Sequence, residues 1–324
     1  MNKYTDGVLA LGIDIGGTNV AFGAVDAEGR ILCRGKISTA DYATFPEFIA
    51  ALHDAVAAAC EAADIPLSAI GRIGVGAPCM NWETGNIEGA VNLPWPSPLK
   101  LTDELERLFG IPAAGENDAN AAALGEMYYG AGRGKDNSIM IPLGTGVGGA
   151  IICDGRLLHG KRGLAGELGH IPYRRGADAR LCSCGRKGCL DAYVSARGVV
   201  ETARQLLAGS DRPSTLRRLE NLDARAICEE AAAGDEIARD TFRLSGEILG
   251  EACADFTAFS SPEAFIFFGG VAGAFRHFKD AMTETFNKNL LWIYNDQVEF
   301  LQSQLPATDA AILGAAAVAL SAIK

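Results

Sequence analysis

Three thiols within eight residues, Cys182-x-Cys184-x4-Cys189, lie downstream of His170 and are the residue types in this chain that name a chemistry most directly. Three cysteines and one histidine make a closed tetrahedral set of the kind that holds structural zinc, and Gly185 and Gly188 would let the chain fold back around the metal. With four protein ligands no position stays open, so such a metal would fix a loop. The alternative is buried thiols beside a satisfied histidine, but cysteines flanked by Arg and Lys make a poor apolar core. Glu167, in Gly163-Leu164-Ala165-Gly166-Glu167-Leu168-Gly169-His170, stands three residues before the histidine. A metal-braced loop would position that carboxylate too, to accept hydrogen bonds from sugar hydroxyls, although a lone glutamate more commonly ends on a surface.

Glycine turns supply a second chemistry. Asp14-Ile15-Gly16-Gly17-Thr18-Asn19 ends a strand in paired glycines, whose bare backbone N–H groups can approach an anion. Asp14 can hold water on a divalent cation and Thr18 adds a hydroxyl, a set that suits a nucleotide phosphate. A hairpin whose glycines only supply positive φ fits the same residues. In Leu143-Gly144-Thr145-Gly146-Val147-Gly148-Gly149 the glycines satisfy G-x-G-x-x-G, yet they run into the apolar β pattern Ala150-Ile151-Ile152-Cys153 and an Asp154-Gly155 turn. A dinucleotide fingerprint has to open a helix instead, so a phosphate-cradling hairpin is the better reading. The P-loop pattern is also absent. Gly269-Gly270, at the end of the strand-like Ile266-Phe267-Phe268, suits either a flat base or ribose against bare backbone or simply tight packing.

A third group is Glu116-Asn117-Asp118-Ala119-Asn120, between an apolar strand and a helix. Asp118 can be read as the helix N-cap. It can also be read as a base, since binding groups in α/β folds gather where strands end, and an aspartate with a reference pKa of ~3.9 is ionised at pH 7. Such a carboxylate can take the proton of a sugar hydroxyl as its oxygen attacks a phosphoryl group.

The elements that must carry these groups follow from pattern. Val8 to Val25 reads as two β runs around Gly16-Gly17-Thr18, and Arg30 to Thr39 adds a third. Thr44-Phe45-Pro46-Glu47 has capping-box spacing, followed by Phe48, Leu52, Val56 and Cys60 at helical intervals. Arg72 to Ala77 and Ile111 to Gly115 read as strands, Thr102 as the cap of a short helix ending at Gly110, and Ala119 to Gly130 as a helix. Ser138 to Leu143 and Val147 to Cys153 then repeat the opening hairpin around the second glycine turn. Helices dominate from Leu190 to about Ser260, with Ser210 to Asp223 as surface loop. A strand at Ala264 to Phe268 and helices at Ala274 to Leu291 and Asp309 to Ile323 complete the pattern.

At 324 residues the chain has room for about two domains, with a composition of 48% hydrophobic and 21% charged residues that excludes disorder. A net charge of −11 repels nucleic acid and acidic membranes. No apolar run reaches the ~20 residues of a spanning helix, and no leader pattern opens the chain. With six of nine cysteines scattered singly, reduced thiols and a cytoplasmic location are expected.

Taken in order, Asp14 to Asn19, Asn117 to Asn120, Leu143 to Ala150, Gly163 to His170, Cys182 to Leu190 and Gly269-Gly270 resemble the signatures of the ROK family of sugar kinases and related repressors, most of all its bacterial glucokinases. The resemblance implies an α/β, actin-like (ribonuclease H-like) two-lobed ATPase fold with a structural zinc loop and the active site in the cleft. Its lobes would be residues 1–118, completed by the C-terminal helix 309–324, and residues 119–308 with the zinc-binding loop. It implies ATP- and Mg2+-dependent phosphorylation of a hexose 6-hydroxyl, with glucose first and fructose, allose, N-acetylglucosamine or N-acetylmannosamine as alternatives. Asp118 would be the base, with Asn92, Asn117, Glu167, His170 and Asp191 on the sugar. Gly16, Gly17, Thr18, Thr145 and Gly146 would meet phosphate, Asp14 the metal-nucleotide and Gly270 the adenosine, while His170, Cys182, Cys184 and Cys189 would hold Zn2+. His170 would give one ring nitrogen to zinc and the other to sugar. Asp191 stands where similar kinases carry Glu, and two glycines replace a triplet at Gly269-Gly270. The family's sugar-responsive repressors carry a helix-turn-helix ahead of the first strand, for which the residues before Val8 leave no room. Partners would be a hexose and ATP, without nucleic acid or membrane, in a homo-oligomer of two or four copies.

Overall fold

The computed structural model describes residues 8–89, 93–161 and 163–322. In chain order the strands and helices are β1 (Leu9–Ile15), β2 (Asn19–Val25), β3 (Ile31–Ser38), α1 (Phe45–Ala62), β4 (Ile70–Gly76), β5 (Met80–Asn81), β6 (Asn86–Ile87), α2 (Leu101–Phe109), β7 (Ala113–Glu116) and α3 (Asp118–Tyr129). There follow β8 (Ser138–Pro142), β9 (Ala150–Cys153), β10 (Arg156–Leu157), α4 (Asp191–Val194), α5 (Ala196–Ala208), α6 (Ala224–Ala233), α7 (Glu236–Ser260), β11 (Ala264–Phe268), α8 (Phe275–Asn289), β12 (Glu299–Gln302) and α9 (Ala310–Ser321). Two compact units result: Met1–Gly134 with His159–Gly163 and Gln304–Lys324, and Lys135–Leu158 with Leu164–Ser303.

Unit 1 is built on a five-stranded sheet in the order β3-β2-β1-β4-β7. The β1–β2 and β2–β3 pairs are antiparallel, the β1–β4 and β4–β7 pairs parallel. Strand alternation divides β1 cleanly. Leu9, Leu11, Ile13 and Ile15 join the core that α1 and α2 close, whereas Ala10 faces the cluster around α9. The α1 helix starts on the expected capping box, Thr44 with Glu47, and buries Phe48, Leu52, Val56 and Cys60. Thr102 is not the cap of α2. The helix begins at Leu101, and the Thr102 hydroxyl is buried and donates to the Gly85 carbonyl.

The Ala-rich α9 lies directly on the sheet because the strands below it carry no side chain at the crossing. A Cβ on Gly12 would come within 2.3 Å of the Ile312 carbonyl oxygen, and one on Gly74 within 2.0 Å of that of Ala315. Gly314 makes the same close approach to the Ala121 carbonyl of α3, 2.8 Å from where a Cβ would stand. This backbone contact keeps α3 in unit 1, so the division between units falls after Gly134. Among the described residues no helix is long and apolar enough to cross a membrane.

Unit 2 repeats the plan with the order β10-β9-β8-β11-β12. Its β8–β9 and β9–β10 pairs are antiparallel and its β8–β11 and β11–β12 pairs parallel. One core joins Ile139, Ile141, Phe265, Phe267 and Phe300 of the sheet to Phe242, Phe256, Phe278, Met282 and Phe286 of α7 and α8. Within the stretch read as surface loop, Thr215–Arg218 forms a 3-10 turn with Leu216 buried.

Candidate active site

In unit 1 the parallel strands β1, β4 and β7 end in one row, Asp14–Gly76–Glu116. The absence of a side chain at Gly76 admits Ala121 of α3, whose Cβ would lie 3.3 Å from a Cβ at Gly76, and leaves Asp14 Oδ1 3.6 Å from that point. Beyond Glu116 the chain turns into α3, and the cap there is Asn117, whose Oδ1 accepts the Asn120 N–H at 2.8 Å. Asp118 is therefore the first residue of the helix, at its positive end, where its Oδ1 accepts the adjacent Ala119 N–H at 2.9 Å. Burial, and then the charge of Asp118, push the Asp14 carboxyl up to about 6. Asp14 thus feels the charge of Asp118.

Next to them the first glycine turn is closed by Gly16 N–H on the Asn19 carbonyl (2.9 Å) and Thr39 Oγ1 on the Gly17 carbonyl (2.9 Å). Neither Gly16 nor Gly17 has positive φ, and Thr18 is exposed. Positive φ is therefore not the reason for these glycines, although a Cβ on Gly16 would come within 3.1 Å of the Asn19 carbonyl oxygen across the turn.

Unit 2 presents the second set. The ends of β8 and β11 are stitched by Leu143 N–H on the Phe268 carbonyl (2.8 Å) and Val271 N–H on the Leu143 carbonyl (3.0 Å). Gly144 and Gly270 follow these strand ends; neither has positive φ, and a Cβ on either would meet nothing within 4 Å. Neither conformation nor packing calls for glycine there, so the structure leaves space at the carboxyl ends of two parallel strands, where ligands of α/β sheets lie. Gly269 is different, since it adopts φ +94 against the Leu143 backbone. Thr145 and Gly146 are exposed at the turn tip.

The loop after the turn is placed by backbone contact. A Cβ on Gly166 would lie 2.5 Å from the Gly149 carbonyl oxygen, and one on Gly169 would lie 1.9 Å from that of Val147. This holds Glu167 exposed and His170, in the 3-10 turn Leu168–His170, beside the thiols. His170 Nδ1 lies 3.7 Å from Cys182 Sγ, and Cys184 Sγ lies 3.6 Å from Cys189 Sγ. A tetrahedron with bonds of about 2.3 Å has edges of about 3.8 Å, so these spacings match those of a bound metal. All four donor atoms lie within 4.8 Å of one another. Gly185 and Gly188 both take φ +85, the fold-back expected of them. Hydrogen bonds from the Arg186 backbone and side chain draw the Cys184 thiol down to about 6, toward the thiolate a metal needs.

Asp191 is enclosed. One oxygen accepts the Val147 N–H at 2.9 Å, and the other meets Arg197 Nη2 at 3.2 Å and Cys182 Sγ at 3.6 Å. It ties the glycine turn to the thiol loop. Asn92 lies outside the described residues.

The sequence pattern of the ROK family matches residues 10–322. The chain belongs to the ROK family. A Streptomyces coelicolor glucokinase is 39% identical over 272 residues, 82% of this chain and 82% of that protein. An N-acetylmannosamine kinase of Citrobacter koseri is 34% identical over 268 residues, 81% of this chain and 83% of that one. The crystal structure of a ROK family glucokinase from Streptomyces griseus, in complex with glucose and AMPPNP, matches with a TM-score of 0.72 and 35% identity over 96% of this chain and 99% of its own. This ROK chain thus has the actin-like ATPase fold of that family, each unit built on the same five-stranded sheet. One cluster escaped the motif reading. His159 bonds Glu116 through Nε2 and stacks on Trp82, ring centroids 4.0 Å apart, and a single histidine in a loop gives no spacing signal.

Proposed function

We propose that this ROK protein is an ATP-dependent hexose kinase acting on the sugar 6-hydroxyl, with glucose as the preferred acceptor and another sugar, N-acetylmannosamine among them, as the alternative. The observation that carries the reading is Asp118: Asn117 caps the helix through Asn120 N–H, and the Asp118 carboxylate, whose Oδ1 accepts the adjacent Ala119 N–H at 2.9 Å, stands where the strand ends and feels the charge of a second acid. In the transfer, the sugar oxygen forms its bond to the γ-phosphorus as the bond to the β,γ-bridging oxygen breaks, and the hydroxyl proton passes to Asp118. Asn117 keeps its side-chain amide N–H groups available to the sugar while its oxygen caps α3. Glu167 and His170 would hold further hydroxyls, His170 through Nε2, since Nδ1 faces the thiols.

Gly16, Gly17, Thr18, Thr145 and Gly146 would meet phosphate oxygens, and the open positions at Gly144 and Gly270 would receive the nucleotide. Asp14 would hold Mg2+ through water, where the ion would neutralise charge on the phosphates. The donor set His170, Cys182, Cys184 and Cys189 fits Zn2+ in a structural role, and Asp191 would transmit that order to the glycine turn. We assign copies of the chain to a homo-oligomer in the cytoplasm. The exposed apolar run Leu291, Trp292 and Ile293 supports association, and nine free cysteines support a reducing compartment.

Turnover of a panel of hexoses and N-acetylhexosamines with ATP and Mg2+ tests this directly, and Asp118→Asn tests the chemistry. The amide keeps the shape but cannot accept the proton, so kcat should fall by about 100-fold or more with the sugar KM nearly unchanged. Native turnover in that variant would remove the assignment.

A further inference from the structure

Glu116 is a buried acid with both oxygens committed. Oε2 accepts from Asn120 Nδ2 at 3.1 Å, and Oε1 is bonded to His159 Nε2, with side-chain exposures of 8% for the glutamate and 21% for the histidine. Asn120 in turn donates its backbone N–H to Asn117 Oδ1. His159 is thus linked through the Glu116 carboxylate to the Asn120 side chain, and the Asn120 backbone N–H is held by Asn117, so the strand end and the first turn of α3 on either side of Asp118 are tied together. The anchor is itself held, because its imidazole lies on the Trp82 indole at an interplanar angle of 18°. The pentapeptide His159–Gly163 belongs to unit 1 although the segments on either side of it belong to unit 2.

A buried carboxylate without a donor is costly, and Glu116 sits in the same strand-end row as Asp14. Either the neutral Nε2–H tautomer or the imidazolium can supply the missing donor. Resting on the kinase reading above, we propose that His159 is a positioning residue for the base: by fixing Glu116 at the end of β7 and, through the Asn120 side chain, the first turn of α3, it holds the segment that carries Asp118 in place. Misplacing a reacting group by about 1 Å can cost on the order of 100-fold in rate, so an outer anchor of this kind is felt in turnover.

The test compares His159→Ala, His159→Gln and Trp82→Leu with the native protein, using glucose, ATP and Mg2+, with Asp118→Asn alongside. His159→Ala should lower kcat by about 10- to 100-fold while both KM values stay within about threefold. His159→Gln, whose amide can still donate to Glu116, should recover most of that loss. Trp82→Leu, which removes only the stacking support, should fall between them and covers the case in which His159→Ala does not fold. Native kcat in His159→Ala or in Trp82→Leu would overturn the inference. So would a glutamine variant no better than alanine, or a loss shared between kcat and both KM values. Absence of glucose phosphorylation by the native protein would sink the kinase reading, and normal turnover by Asp118→Asn would remove Asp118 as the base, so these failures are told apart from that of His159.

Discussion

Asp14 carries a charge that the fold does not welcome. Its carboxyl is raised to about 6 against a usual value near 3.9, by burial first and by Asp118 second. A folded value above the unfolded one means the ionised form is penalised. The penalty is absent below about pH 4, grows between about pH 4 and 6 and is complete above that. Asp14→Asn should therefore melt about 2–4 °C higher than the native protein at pH 8 and match it at pH 4, while losing activity. Equal melting temperatures across that range would show that the site carries no such strain. Other residue-level features were less open to reading from sequence. Asp118 has the same spacing whether it caps the helix or follows the cap, and only the Asn117–Asn120 bond decides. For Asp191, resemblance gave a side of the site, but where its two oxygens go depends on Val147 and Arg197, neither of them near it in a motif.

At the level of elements, the thiol loop was legible because metal ligands impose short spacings and glycine fold-backs, and both are written locally in Cys182 to Cys189. The capping box of α1 and the strand at Ala264–Phe268 were legible for the same reason. The two-residue strands β5 and β6 were not, being shorter than any periodicity, and the Thr102 cap failed because Lys100 and Leu101 start the turn without a side-chain cap. Since Asp191 and Gly169 join the thiol loop to the glycine turn, loop order should reach beyond the His170, Cys182, Cys184 and Cys189 cluster. Native protein should contain about one zinc per chain, and Cys184→Ser should lose most of it together with activity. Full turnover in zinc-free protein, with metal content measured on the same sample, would contradict that link.

For the molecule as a whole, the repeat of one sheet plan was legible in two glycine turns with similar flanks, but the close seat of α9 was not, because it depends on which glycines face a helix far along the chain. Gly74→Ala would set a Cβ 2.0 Å from the Ala315 carbonyl oxygen and 2.6 Å from the Ala319 nitrogen. Unfolding in urea should show a loss of about 1–3 kcal/mol. Gly270→Ala, with open space at its Cβ, should show none. A Gly74→Ala protein as stable as native would mean that α9 can lift without cost.

The seat of α9 also bears on synthesis. Strands β1 and β4 leave the ribosome before unit 2, yet the helix that covers them follows unit 2 in the chain. Lys135 to Ser303 can thus reach its final structure while the earlier sheet still waits, bare on one side, for residues 310–321. A nascent chain stalled before that point would expose an apolar surface to chaperones and proteases.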